Sequence, residues 1–277
     1  MHGDVDPLYV GARSVLLDAL DALGSQRKAV ILIGAQAIYL HTGSIELAVA
    51  EHTIDADIAL DPAALDAVPE IEAAMTAAGF RRGNRVGAWW VPRQMGTVFA
   101  NVEVDLMVPE AVGGAGTRAA RLPGHAKHVA RKARGLEAAL IDKGPTTIHA
   151  LDPADKRSFS VAVAGPSALI VSKLHKIQER LAEREQRRVD AKDALDVLRL
   201  LRAIPTADLA QAFKKLLRTP VSKEVTREAL AGLQELFRSP RAAGSQMAVR
   251  AAGPLASADE IAESCAVLAN DLLGAIS

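Results

Sequence analysis

Apolar and polar positions along the chain change their period near residue 165. Before that point the apolar residues come in short runs or alternate with polar ones, as strands require; after it they recur three and four apart, as helices require. Ala29-Val30-Ile31-Leu32-Ile33 is an apolar run of buried-strand type that leads straight into Gly34 and the apolar segment Ala35 to Leu40. Strand, glycine turn and helix are the predicted order. Thr53 to Leu60 reads as a second strand, with Ile54, Ala56, Ile58 and Leu60 on one face and Asp55 and Asp57 on the other. Val102, Val104, Leu106 and Val108 repeat the pattern, with Glu103 and Asp105 opposite them. Further strands are predicted around 86–91, 98–108, 146–150 and 159–163, and amphipathic helices over 8–23 and 62–79, the second stopping at Gly79.

Beyond Gly165, Pro166 is placed to open a helix in which Ile170, Leu174, Ile177 and Leu181 form the buried stripe. Lys173, Lys176, Arg180 and Arg184 make a basic row beside it, and Lys173, nearest the stripe, can lay its stem on apolar surface and present its ammonium to a cleft. The next helix carries Asp190, Asp193 and Asp196 at steps of three, with Ala194, Val197, Leu198 and Leu201 on its packing side. Pro205, Pro220, Pro240 and Pro254 divide the remainder into short helices, and Arg238 to Pro254 reads as a loop. The domains expected are therefore 1–165, mixing strands and helices, and 166–277, helical.

Composition narrows the function classes. The chain has 277 residues, 49% hydrophobic and 24% charged, enough for a sizeable core. Its formal net charge is zero, so attraction to a polyanion has to come from a local patch. One lies between Thr117 and Gly135, where Arg118, Arg121, Lys127, Arg131, Lys132 and Arg134 occur with His125 and His128 and no acid. It lacks interleaved aromatics, so phosphate contact suits it better than base stacking. The single Cys265 falls in an apolar helical pattern and reads as a small buried hydrophobe. The first residues do not resemble a signal peptide, and the run from Ala29 to Leu40 is shorter than the ~20 residues of a membrane span, so no membrane association and a cytoplasmic location are expected. Gly113-Gly114-Ala115-Gly116 has no Lys-Ser or Lys-Thr after it and is a loop rather than a P-loop.

The chemistry is concentrated in the strand aspartates. Asp-x-Asp on an apolar-backed strand, with Asp105 on a second one, offers the hard oxygen ligands that suit Mg²⁺, although alternation of this kind is also what a half-solvated strand shows. A helix starting at Gly34 would add unpaired backbone N–H groups and the positive end of its dipole, which suit a triphosphate.

In this order the pieces resemble the nucleotidyltransferase-like toxins of the AbiEii and MenT type, within the polymerase-β-like nucleotidyltransferase superfamily. The resemblance covers roughly residues 28–202 and rests on Gly34, on Thr53-x-Asp55-x-Asp57, on Asp105, on Lys173 and Lys176, and on Lys192-Asp193 followed by Asp196. It implies an α+β fold, with an N-terminal nucleotidyltransferase-type mixed sheet, a C-terminal helical domain and an active cleft between them. It also implies Mg²⁺ on Asp55, Asp57 and Asp105, and an NTP bound by Gly34, Ala35, Thr53, Lys173 and Lys176. Asp193 would be the C-terminal catalytic aspartate, beside Lys173, and Asp196 structural support. The implied acceptor is RNA, a tRNA 3′ end, held by the basic segment from Arg118 to Arg134; the effect is a block of translation relieved by an antitoxin protein. Two departures bear on this. Ala35 stands where the superfamily usually has Ser or Gly, and Glu51-His52 stands where an arginine often precedes the threonine. They leave open a degenerate nucleotide- or partner-binding module, and the motifs are shared with nucleotidyltransferases that act on small molecules.

Overall fold

The computed structural model describes residues 6–43, 53–182 and 191–277. Glu51, His52, Arg184 and Asp190 lie outside them, as does the start of the chain. Two compact units are present among the described residues, one comprising 6–37, 53–133 and 143–164, the other 38–43, 134–142, 165–182 and 191–277.

In chain order the strand-bearing part consists of α1 (Pro7–Leu23), β1 (Val30–Ile33), α2 (Gly34–Thr42), β2 (Asp55–Leu60), α3 (Ile71–Ala77), β3 (Arg81–Arg82), β4 (Ala88–Met95), β5 (Val98–Pro109), β6 (Arg131–Ala133), β7 (Lys143–His149) and β8 (Ser158–Ala164). The strands form one mixed sheet in the order β3-β4-β5-β2-β1-β8-β7, with β6 added to β5. Neighbours run both ways: β1 is antiparallel to β2 and parallel to β8, while β2 is parallel to β5. α1 begins where Asp6 accepts a hydrogen bond from Leu8 N at 2.8 Å and Pro7 fits the first helical position. Its Val15, Leu16, Ala19, Leu20 and Leu23 are fully buried, and the helix lies against β2, β4 and β5. The fully apolar β1 is buried at all four positions, as a central strand must be.

Two local expectations are corrected. The helix expected over 62–79 is broken into a short turn at Pro62–Ala64 and α3 alone. Pro69 supplies no N–H and disfavours the helical region at Val68, and of this stretch only Ile71 and Met75 reach the core of α3. Ile54, assigned to the apolar face of the second strand, precedes β2 and is exposed.

The helical unit contains α4 (Pro166–Ala182), α5 (Lys192–Ala203), α6 (Thr206–Arg218), α7 (Pro220–Phe237), α8 (Ala243–Ala252) and α9 (Ala258–Ile276). Ile170, Leu174 and Ile177 are buried as the stripe predicts, whereas Leu181 at its end is exposed. The loop expected from Arg238 to Pro254 contains α8. Gly244, Met247, Ala248 and Ala252 recur at helical spacing on its buried side, and alanine has the highest helix propensity. Cys265 is buried in α9, and burial pushes its thiol up to about 12. Among the described residues no helix is long and apolar enough to cross a membrane.

Candidate active site

The parallel pairing of β2 with β5 sets Asp55 beside Glu103 and Asp57 beside Asp105. Residues in register on neighbouring strands project from the same face, so the four carboxylates form one row. On the opposite face Ala56, Ile58, Val102, Val104 and Leu106 are buried, and this apolar backing is what holds the register: a slip of one residue would turn the acids into the core. The row deepens along the strands, from an exposed Asp55 to a half-buried Asp57 and an Asp105 only 9% exposed.

Gly34 closes one side of the row. Its φ of +71° lies in the left-handed region, and a Cβ there would fall 2.8 Å from Asp57 Cβ and Cγ and closer still to Oδ2. Both the turn and the approach of Asp57 therefore require glycine. The turn carries β1 directly into α2, so the first N–H groups of α2 start beside Asp57. Ala35 is buried at this turn. Thr53 is also buried, and its Oγ1 donates to Asp55 Oδ1 at 2.5 Å, which gives the threonine of the motif a positioning task.

Behind the row, Arg13 Nε donates to Gln36 Oε1 at 2.8 Å, and Gln36 Nε2 donates to the Asp55 carbonyl at 3.1 Å. Arg13 also donates to Tyr9 Oη at 2.8 Å and the His149 carbonyl at 3.0 Å. A buried guanidinium thus ties α1 and α2 to the backbone of the first aspartate. Nothing in the spacing of Arg13, Gln36 and Asp55 announces this chain.

Two arginines reach the row. Gly87, with φ +80°, brings the turn after β3 so close to β5 and β6 that a Cβ there would meet the Leu106 carbonyl and lie 2.7 Å from Arg131 N. That turn carries Arg85, which is hydrogen-bonded to Glu103 and stands 3.7 Å from Asp105 Oδ1. Arg131, on β6, donates through Nη2 to Asp105 Oδ2 at 3.4 Å. Burial raises the Asp105 carboxyl above its ordinary value, with Arg131 and Arg85 pulling the other way. In the sequence the only signal for Arg85 is its place between Gly83 and Gly87.

The remaining basic-segment residues are placed variously. Lys132 Nζ donates to the Gly114 carbonyl at 3.0 Å and also to that of Gly116. Arg134 pairs with Glu228 at 2.6 Å, and Arg121 Nε donates to the Ala115 carbonyl at 3.1 Å. Arg118, Arg121 and Lys127 are exposed.

In the helical unit, Lys173 is buried rather than presented as a surface cation. Its Nζ donates to Asp193 Oδ1 and to Asp196 Oδ2, both at 2.7 Å. Asp193 further receives Arg180 at 2.5 Å and stands 3.6 Å from Lys176. Burial works to raise the Asp193 carboxyl, but Lys173, Lys176 and Arg180 outweigh it and hold it at about 2. Burial likewise opposes the Lys173 charge, and the two aspartates reverse it, holding the ammonium well above its ordinary value.

Among the described residues no group of three His, Cys, Asp or Glu side chains is gathered closely enough to hold a metal ion. The donor set nevertheless suits a hard divalent ion, because the row offers carboxylate oxygens and Asp105 Oδ1 is buried without a hydrogen-bond partner.

Strand acids on one sheet face, beside a strand–glycine–helix turn, are donor types that suit a divalent ion and phosphate oxygens. A family model described as nucleotidyltransferase matches residues 13–218, three quarters of the chain, and the protein belongs to that family. The fold expected from the sequence, a mixed sheet followed by a helical region, is the one the structure shows. No curated protein and no solved structure matches the chain.

Proposed function

We propose that the protein transfers a nucleotidyl group from an NTP to an RNA acceptor, a tRNA 3′ end, as a toxin of the AbiEii and MenT type whose action an antitoxin restrains. Membership of a nucleotidyltransferase family supports the transfer and the NTP; the toxin role and the tRNA come from the motif resemblance. The observation that carries the proposal is the row of Asp55, Asp57 and Asp105 on one face beside Gly34.

In such a transfer an acceptor hydroxyl attacks the α-phosphate in line and pyrophosphate leaves, so the protein's work is positioning and charge compensation. By the resemblance, Asp55, Asp57 and Asp105 would hold Mg²⁺ after drawing closer together than they stand here, and the ion would supply neutralisation of the phosphate charge. The backbone N–H groups at the start of α2 would receive phosphate oxygens. Thr53 and the Arg13–Gln36 chain keep Asp55 in place. Asp105, beside Asp57 on the neighbouring strand, would help take the hydroxyl proton. By the motif resemblance Lys173 is the lysine assigned to the triphosphate; Asp193 and Asp196 take two of its three N–H donors. Exposed Arg118, Arg121 and Lys127 supply the charge for RNA phosphates.

The test is incubation of the purified protein with Mg²⁺, each labelled NTP in turn and total tRNA. Label should enter RNA with one NTP and not with Asp57→Asn protein. Label in no RNA, while a small hydroxyl-bearing acceptor is modified, would move the protein to the small-molecule class.

A further inference from the structure

Asp105 and Arg131 face each other imperfectly. Charge-assisted N–H···O bonds run at ~2.7–2.9 Å, whereas Arg131 Nη2 stands 3.4 Å from Oδ2 and Arg85 Nη2 stands 3.7 Å from Oδ1. Asp105 Oδ1 is buried and makes no hydrogen bond, and Arg131 Nε is likewise buried and unpartnered. An unmet acceptor and an unmet donor thus belong to two side chains already in contact. Buried polar groups are ordinarily satisfied, and one left without a partner calls for an explanation, a bound ion among them. A cation would satisfy Asp105 Oδ1 and a phosphate oxygen Arg131 Nε; a metal-complexed nucleoside triphosphate brings the two together.

We infer that Arg131 and Arg85 are exchangeable counter-ions, competing with a divalent ion for Asp105 and turning to the triphosphate once that ion arrives with its nucleotide. The inference rests on the nucleotidyl-transfer reading and deepens it by naming two phosphate ligands. The two arginines suit different parts of the exchange. Arg131 is anchored on β6 and offers a planar fork that matches phosphate bidentately. Arg85 sits on a turn with 60% of its side chain exposed, so it can swing at little cost. Its hydrogen bond to Glu103 gives it a resting place beside the row.

The exchange predicts opposite signs for two ligands, which a merely structural ion pair does not. Full-length wild type, Arg85→Gln, Arg131→Gln and Arg131→Lys proteins are compared for Mn²⁺ binding without nucleotide, read by electron paramagnetic resonance, and for binding of each labelled NTP with Mn²⁺ by equilibrium dialysis. Arg131→Gln should tighten Mn²⁺ alone several-fold, because a competitor for Asp105 is gone. It should weaken the Mn²⁺–NTP complex about tenfold or more, the usual scale for a charged hydrogen bond. Arg131→Lys should keep the Mn²⁺ constant near wild type and still bind NTP weakly, having the charge without the fork. Arg85→Gln lies on an exposed turn and should follow Arg131→Gln with smaller changes, so it decides the matter if Arg131→Gln does not fold. Loss of both affinities, or no change in either, while the wild type binds both ligands overturns the exchange and leaves nucleotidyl transfer standing. A wild type that binds neither Mn²⁺ nor any NTP overturns both.

Discussion

Lys173→Met keeps an unbranched stem in the core and removes only the ammonium. Asp193 would retain Arg180 at 2.5 Å and Lys176 at 3.6 Å, but Asp196 would lose the one cation that reaches it among the described residues. With side-chain exposures of 3% and 1%, the two carboxylates cannot fall back on water, and one of them must take up a proton. Protonating a carboxyl of ordinary pKa ~3.9 at pH 7 costs about 4 kcal/mol, at ~1.36 kcal/mol per pH unit, and only about 1.5 kcal/mol at pH 5. The variant should therefore be less stable than wild type by roughly 4 kcal/mol at pH 7 and by well under half of that at pH 5, in line with the ~3–5 kcal/mol seen when one partner of a buried pair is removed. Urea unfolding followed by helical circular dichroism at the two pH values measures both figures. Adding Asp196→Leu should return most of the loss, since replacing a buried pair by apolar residues is often close to neutral. A loss below about 1 kcal/mol at pH 7, the scale of an exposed pair, would refute the reasoning. So would an equal loss at the two pH values.

The wild type should show an acid limb of its own: with Asp193 held at about 2, below its ordinary value, its contribution is fully present above about pH 4 and fades as pH falls toward 2. Asp193→Asn should remove that limb from a plot of unfolding free energy against pH. Gly34→Ala places a side chain at φ +71° against the Asp57 carboxylate, so it should cost about 1–3 kcal/mol of stability and abolish NTP binding in equilibrium dialysis, whereas Gly274→Ala, with no atom within 4 Å of the added Cβ, should do neither.

The acid row was legible because a period of two leaves little choice: once Val102, Val104 and Leu106 must be buried, Glu103 and Asp105 must point away. The glycine turn after Ile33 was legible for a similar local reason. β6 was not, because Arg131-Lys132-Ala133 has no apolar pattern and becomes a strand only by pairing with the buried end of β5. The arginines at Asp105 come from turns and strands far apart in sequence, and no spacing rule connects residues 85, 105 and 131. The place of Lys173 at the edge of the apolar stripe was legible from its spacing, but not its enclosure by two carboxylates. Its partners, Asp193 and Asp196, were visible as a matching pair on the following helix, yet only packing of α4 on α5 shows which lysine they enclose.

The sheet order also sets a timetable for synthesis. β1, β2, β4 and β5 all precede β8 in the chain, so the half of the sheet that bears the aspartates and the glycine turn can assemble first. The other edge of β1 is different: Ile31 pairs with Ala162 and Leu32 with Val163, and until β8 emerges that edge is an uncovered row of N–H and C=O groups on a wholly apolar strand. Such an edge is a template for pairing with another chain. A nascent polypeptide of which only the first 110 to 158 residues or so have emerged would carry this aggregation hazard unprotected, a vulnerability the completed protein has buried.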